Sequence, residues 1–226
     1  MAMDWEYIGT KLVAPGVGCL LANVMYFSGV SAMMRCKRAG RLGDMNPLPF
    51  PVMLATNISW IMYSILLGDY FLFFSDAPGA MVSVYFTQVG YSLTQDKSKT
   101  RAAMETSLMS LIMALLTLTL YVGIVARDAS PEHKQIVVGI FANLVLVMYY
   151  AAPLSEVKEV IRTRDSRSLY FPLAVAQTIC GGSWLVYGIA LNDPFIYAPN
   201  GMGTILGGDN PMEVSLWDNW GRKGGS

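Results

Sequence analysis

Long uninterrupted apolar runs dominate the chain. No Asp, Glu, Lys, Arg or His occurs in 12–34, 45–68, 106–126, 135–155 or 168–192, and 70–95 is broken only by Asp76. Crossing a hydrocarbon core takes roughly 20 residues in a helix, and each of these runs is long enough. A seventh run, 194–208, has 15 residues and falls short of a full crossing. Helices of water-soluble proteins keep a polar face at helical period, whereas these runs are apolar around most of their circumference. The pattern predicts an all-α membrane protein of about seven transmembrane helices. Met1–Thr10 carries Asp4 and Glu6 before Lys11, so no basic leader precedes the first run, which reads as a retained helix.

Composition narrows the function. Apolar residues make up 54% of the chain and charged residues 14%, well below the quarter or so of a soluble domain. A formal net charge of zero argues against a nucleic-acid partner. Cys19, Cys36 and Cys180 are far apart and His133 stands alone in a polar connector; neither a disulfide framework nor a zinc site is indicated. No cofactor is implied.

Basic residues set the orientation. Thirteen lie in alternate connectors and the tail: Arg35, Lys37, Arg38, Arg41; Lys97, Lys99, Arg101; Lys158, Arg162, Arg164, Arg167; and Arg222 and Lys223. The opposite side has Lys11, Arg127 and Lys134. The positive side faces the cytosol, so the N-terminus is expected outside or in a lumen and the C-terminus in the cytosol.

The second half repeats the first. Ala22-Asn23 and Val24-Met25-Tyr26-Phe27 are echoed by Ala142-Asn143 and Val147-Met148-Tyr149-Tyr150. A basic connector follows each, then Phe50-Pro51 or Phe171-Pro172, then Trp60/Tyr63 or Trp184/Tyr187. Acidic turns come next, Gly68-Asp69 and Asn192-Asp193, and then the clusters Ser75-Asp76-Ala77-Pro78-Gly79 and Pro199-Asn200-Gly201. Two three-helix copies with 106–126 as an inverting linker make a 3+1+3 arrangement. The expected units are 1–95, a linker over 96–130, a second repeat over 131–208 and a polar tail, 209–226. An odd linker keeps both copies parallel, as in transporters that bind substrate at the repeat interface.

These residues resemble the SWEET sugar transporter family. The closest series is Ala152-Pro153-Leu154, Cys180 through Trp184-Leu185-Val186-Tyr187-Gly188, Asp193-Pro194-Phe195, Pro199-Asn200-Gly201-Met202-Gly203 and Leu206-Gly207. The first copy is similar through Pro49-Phe50-Pro51, Trp60, Tyr63 and Gly79. The resemblance implies bidirectional, facilitated transport of mono- or disaccharides by alternating access, with no covalent chemistry. It implies a sugar pocket lined by Trp60, Trp184 and Asn200, with Asp76 where the family has a second asparagine, and with Thr56 and Cys180 one turn before the tryptophans. It also implies proline hinges. Pro49 and Pro153 match; Pro172 stands two residues past the expected position, and Gly29 or Ser31 occupies the first.

The residue types suit a sugar. Tryptophan offers a broad apolar face with a polar N–H, and an Asn amide both donates and accepts hydrogen bonds. The bland alternatives are interfacial belt positions for Trp60 and Trp184, and a capping or kinking role for Asn200 after Pro199. Asp76 is a functional candidate as an ionisable group inside a membrane run. Protonated, it imitates an amide donor or couples sugar movement to protons; alternatively it sits close enough to the outer surface to reach water. The resemblance further implies a helix 7 continuing for two or three more turns, but Gly208-Asp209-Asn210-Pro211 intervenes, so helix 7 reads as shortened. Asn57-Ile58-Ser59 falls within helix 2 and should not be glycosylated.

Two other readings remain open. One is a PQ-loop type carrier of another small solute, although no Pro-Gln pair occurs here. The other is a non-transporting paralogue or scaffold. No HExxH, nucleophile elbow or phosphate-binding glycine loop points to an enzyme. Expected partners are a sugar substrate and the lipid bilayer, with a homo-oligomer allowed by Gly203-xxx-Gly207. The plasma membrane is the compartment the resemblance implies.

Overall fold

A computed structural model describes residues 5–43, 45–95, 98–163 and 171–206. Among them the regular structure is entirely helical, in seven helices. These are α1 (Trp5–Ala39), α2 (Pro49–Leu67), α3 (Tyr70–Leu93), α4 (Lys99–Val125), α5 (Pro131–Thr163), α6 (Phe171–Leu191) and α7 (Pro194–Leu206). Gly9–Val13 and Tyr121–Val125 are π-helical turns within α1 and α4. Three helices, α1, α2 and α4, are each long and apolar enough to cross a membrane. The predicted stop of helix 7 at 208–211 lies outside the described residues.

Local chemistry explains the helix ends. Gly40 and Gly68 close α1 and α2 at φ 65 and 70, a left-handed conformation that glycine adopts without a Cβ penalty. Asn192 takes the place of Gly68 in the second half, at φ 56. After each of these left-handed residues stands an aspartate that caps the following helix: Asp69 accepts from the Leu72 N–H at 3.1 Å, and Asp193 from the Phe195 N–H at 2.9 Å. Ser98 caps α4 by accepting from the Arg101 N–H.

Helix neighbours follow one scheme in both halves. In the first, α3 packs against both α1 and α2; in the second, α7 packs against α5 and α6. Between the halves α1 meets α6 and α2 meets α5, while α4 leans on α2. Exchanging α1 with α5, α2 with α6 and α3 with α7 reproduces the same set of neighbours, α4 apart.

Asn23 and Asn143 serve matching roles. Pro78 and Pro199 lie inside α3 and α7, and a proline cannot donate to the carbonyl four residues earlier. Those carbonyls belong to Phe74 and Phe195. Asn23 donates to the Phe74 carbonyl at 3.0 Å, and Asn143 to that of Phe195 at 3.2 Å. Each asparagine thereby supplies, from the neighbouring helix, the donor that the proline removed, which matters most where water cannot.

The outer surface is apolar. Leu20, Val24, Phe27, Ile65, Tyr70, Phe74, Met81, Met109, Met113 and Ile124 are all exposed. α4 buries only Met104, Leu111 and Leu118, a single stripe at seven-residue spacing. So wide an apolar surface is costly in water and favourable against lipid tails.

Candidate functional site

The polar interior centres on a cavity of about 180 Å³ between the two halves. At about 10–15 Å³ per water-sized group, it has room for on the order of ten such groups, the scale of a monosaccharide ring with its hydroxyls. Thr56, Trp60, Asp76, Cys180, Trp184 and Asn200, the six residues singled out in the sequence, all line it. α2 supplies Thr56 and Trp60, α3 Asp76, α6 Cys180 and Trp184, and α7 Asn200.

Both tryptophans are buried, at 7% and 6% exposure, which sets aside the interfacial-belt alternative. Each packs edge-on against the tyrosine one turn later, Trp60 on Tyr63 at 5.7 Å and Trp184 on Tyr187 at 6.0 Å between ring centroids. Gly18 lets α1 approach the second tryptophan: a Cβ there would lie 2.8 Å from the indole nitrogen of Trp184. Beside it, the Cys180 thiol donates to the Gly18 carbonyl at 3.5 Å. Asp76 is 8% exposed and faces the cavity rather than the outer surface. Asn200 lines the cavity and also donates to the Ile196 carbonyl at 2.8 Å, so it steadies its own helix beside Pro199. Thr56 donates to the Val52 carbonyl.

The sequence reading missed several lining residues. Met25, Tyr26, Met53, Asn57, Tyr149 and Gln177 also border the cavity. Asn57, noticed only as an in-helix sequon, is 1% exposed. It accepts from the Tyr26 hydroxyl at 2.7 Å and donates to the Met53 carbonyl and Ser83 Oγ, both at 2.9 Å. These bonds tie α1, α2 and α3 together. Gly79 makes room, since a Cβ there would meet the Tyr26 ring at 2.5 Å and Asn57 Oδ1 at 2.9 Å.

One turn beyond the two cavity tryptophans, a crossed pair of contacts joins the halves. The Tyr63 hydroxyl donates to Asp193 Oδ2 and the Tyr187 hydroxyl to Asp69 Oδ2, each at 2.8 Å. Tyr63 also packs on Phe195 at 5.9 Å, and Tyr187 on Phe71 at 6.3 Å. Each aspartate thus caps its own helix with one oxygen and holds the other half's tyrosine with the second. All four residues were visible as repeat markers; their crossing was not.

Of the hinge candidates, Pro49 and Gly29 are buried in α2 and α1. Pro153 falls within α5 and Pro172 at the second residue of α6.

The family model described as sugar efflux transporter for intercellular exchange matches twice, over residues 15–98 and 136–209. The chain belongs to the SWEET family. Among curated SWEET relatives, Sugar transporter SWEET1 of Drosophila pseudoobscura pseudoobscura is 29% identical over 217 residues, covering 96% of this chain and 89% of that one. Sugar transporter SWEET1 of Mus musculus is 27% identical, covering 80% of each chain. Bidirectional sugar transporter SWEET2a of Oryza sativa subsp. japonica is 26% identical, covering 84% of this chain and 77% of that one. A solved eukaryotic SWEET transporter superposes with a TM-score of 0.77 over 96% of this chain and 99% of that one, at 22% identity, and so shares the fold. This SWEET chain is accordingly a multi-pass membrane protein with a helical fold.

Proposed function

We propose that the chain carries mono- or disaccharides across a membrane by facilitated, bidirectional diffusion. The observation that carries this reading is the cavity itself. A tryptophan and a polar residue from each half, Trp60 with Asp76 and Trp184 with Asn200, surround one space at the junction of the halves. Indole faces suit the C–H surfaces of a sugar ring, and carboxyl and amide groups suit its hydroxyls. The names of the relatives, sugar transporter and bidirectional sugar transporter, agree with it.

Alternating access follows from the repeat. The units are 1–95 and 131–208, joined by a linker over 96–130, with 209–226 as a tail; the double family match and the exchangeable contact scheme support this division. The crossed Tyr63–Asp193 and Tyr187–Asp69 bonds act as the outer gate, because the turns holding both aspartates lie on the side poor in Lys and Arg. Opening it requires the halves to separate there, with bending at Pro49, Pro153, Pro172 and Gly29. The N-terminus faces outside or a lumen, the C-terminus the cytosol, and the plasma membrane is the expected location.

Uptake of radiolabelled hexoses and disaccharides in a transport-deficient cell tests the reading. Uptake of at least one sugar is expected, lost in Trp184→Ala and Asn200→Ala. No uptake of any sugar at normal surface expression would favour a scaffold instead.

A further inference from the structure

We propose that the cavity selects sugars bearing a protonated amine, with Asp76 as their counter-ion. The inference rests on the sugar-carrier reading and deepens it. Asp76 is more than nine-tenths buried and borders the cavity, yet it accepts no hydrogen bond and forms no ion pair among the described residues. Among the described residues no Lys, Arg or His lines the cavity, and the other described walls are neutral: Tyr26 from α1, Thr56 and Trp60 from α2, Tyr149 from α5, and Trp184 and Asn200 from α6 and α7.

Three of the donors nearby have acceptors of their own. Both described bonds of the Asn57 amide nitrogen go to the Met53 carbonyl and Ser83. Thr56 donates to the Val52 carbonyl, and Asn200 to the Ile196 carbonyl. A carboxyl without a cation in a low-dielectric site is held as the neutral acid, and a cationic ligand is what lets it carry its charge there. The aromatic lining favours the same ligand, because the faces of Trp60, Trp184, Tyr26 and Tyr149 attract cations as well as sugar C–H groups. An amino sugar combines a ring for the tryptophans with an ammonium for Asp76. The second-half counterpart of Asp76 is the neutral Asn200, so such a ligand binds with its amine toward α3.

The test is competition for labelled glucose uptake by the full chain, at a pH where glucosamine is protonated. In wild type, glucosamine is expected to inhibit at about a tenfold lower concentration than 2-deoxyglucose, the scale of one charge-assisted contact. Asp76→Asn should close that gap and Asp76→Glu should keep it, each read also as quenching of tryptophan fluorescence by glucosamine and by 2-deoxyglucose in the purified protein, so that the comparison does not depend on how well the variant transports glucose. Equal inhibition by the two sugars in wild type overturns the inference whatever the variants do, as does a gap that persists in Asp76→Asn. A wild type that is present at the surface but carries neither labelled glucose nor labelled glucosamine overturns the sugar-carrier reading itself.

Discussion

Tyr63→Phe isolates the gate with the least disturbance. The ring stays, and with it the edge contacts to Trp60 at 5.7 Å and Phe195 at 5.9 Å. Only the hydroxyl bond to Asp193 Oδ2, 2.8 Å long, is removed. Asp193 keeps its helix cap through Oδ1, so α7 should still start correctly. A hydrogen bond to a charged group contributes about 1.5–3 kcal/mol in soluble proteins, but bonds between membrane helices average about 0.6 and reach about 1.7 kcal/mol. We take about 1–2 kcal/mol, which multiplies the population of the outer-open state roughly 5–30-fold. Cys180 lines the cavity and reports that state. With Cys19 and Cys36 replaced by serine, its labelling by a membrane-impermeant thiol reagent added outside should accelerate by about that factor. Tyr187→Phe should do the same, because its bond to Asp69 is the repeat-related copy. Unchanged labelling in both variants, with both folded and at the surface, would refute the gate.

The remaining predictions concern packing and backbone satisfaction. Gly79→Ala drives a methyl toward the Tyr26 ring at 2.5 Å and should cost about 1–3 kcal/mol; a wild-type melting temperature in detergent would contradict the close approach. Asn23→Ala should destabilise by about 1–2 kcal/mol by orphaning the Phe74 carbonyl. In a Pro78→Ala background the restored N–H should remove most of that cost, and an unchanged cost in the double-mutant cycle would show that Asn23 does something else. Gly18→Ala should displace the Trp184 indole, 2.8 Å from the new methyl, and reduce sugar uptake more than it reduces stability; equal uptake would remove Trp184 packing from the account.

Much of this was legible in the sequence for one physical reason. Crossing a bilayer forces long apolar runs, and a duplicated unit forces its landmarks to recur in order. The six cavity residues were picked out by the resemblance to the SWEET family that those landmarks carry. What escaped depended on how the copies face each other. Tyr63 and Asp193 are distant in sequence and belong to different halves, so no periodicity within either half links them. Asn23 and Asn143 recurred visibly, but their task appears only when α1 lies beside the carbonyl that Pro78 frees, and α5 beside the one freed by Pro199. Asn57 looked like an incidental polar residue in an apolar run, because its three partners come from α1, α2 and α3. The narrow stripe that α4 buries was hidden for the opposite reason: the lipid-facing residues around Met104, Leu111 and Leu118 are largely apolar too.

The central claim is that the cavity between Trp60, Asp76, Trp184 and Asn200 is the transport site. Counterflow in liposomes containing the purified protein tests it most directly, with unlabelled sugar inside and a trace of labelled sugar outside. The account predicts transient accumulation of the label with no ion gradient imposed, and its loss in Trp184→Ala. Label that never exceeds the level of empty liposomes, for glucose, glucosamine and sucrose alike with protein correctly inserted, would contradict it.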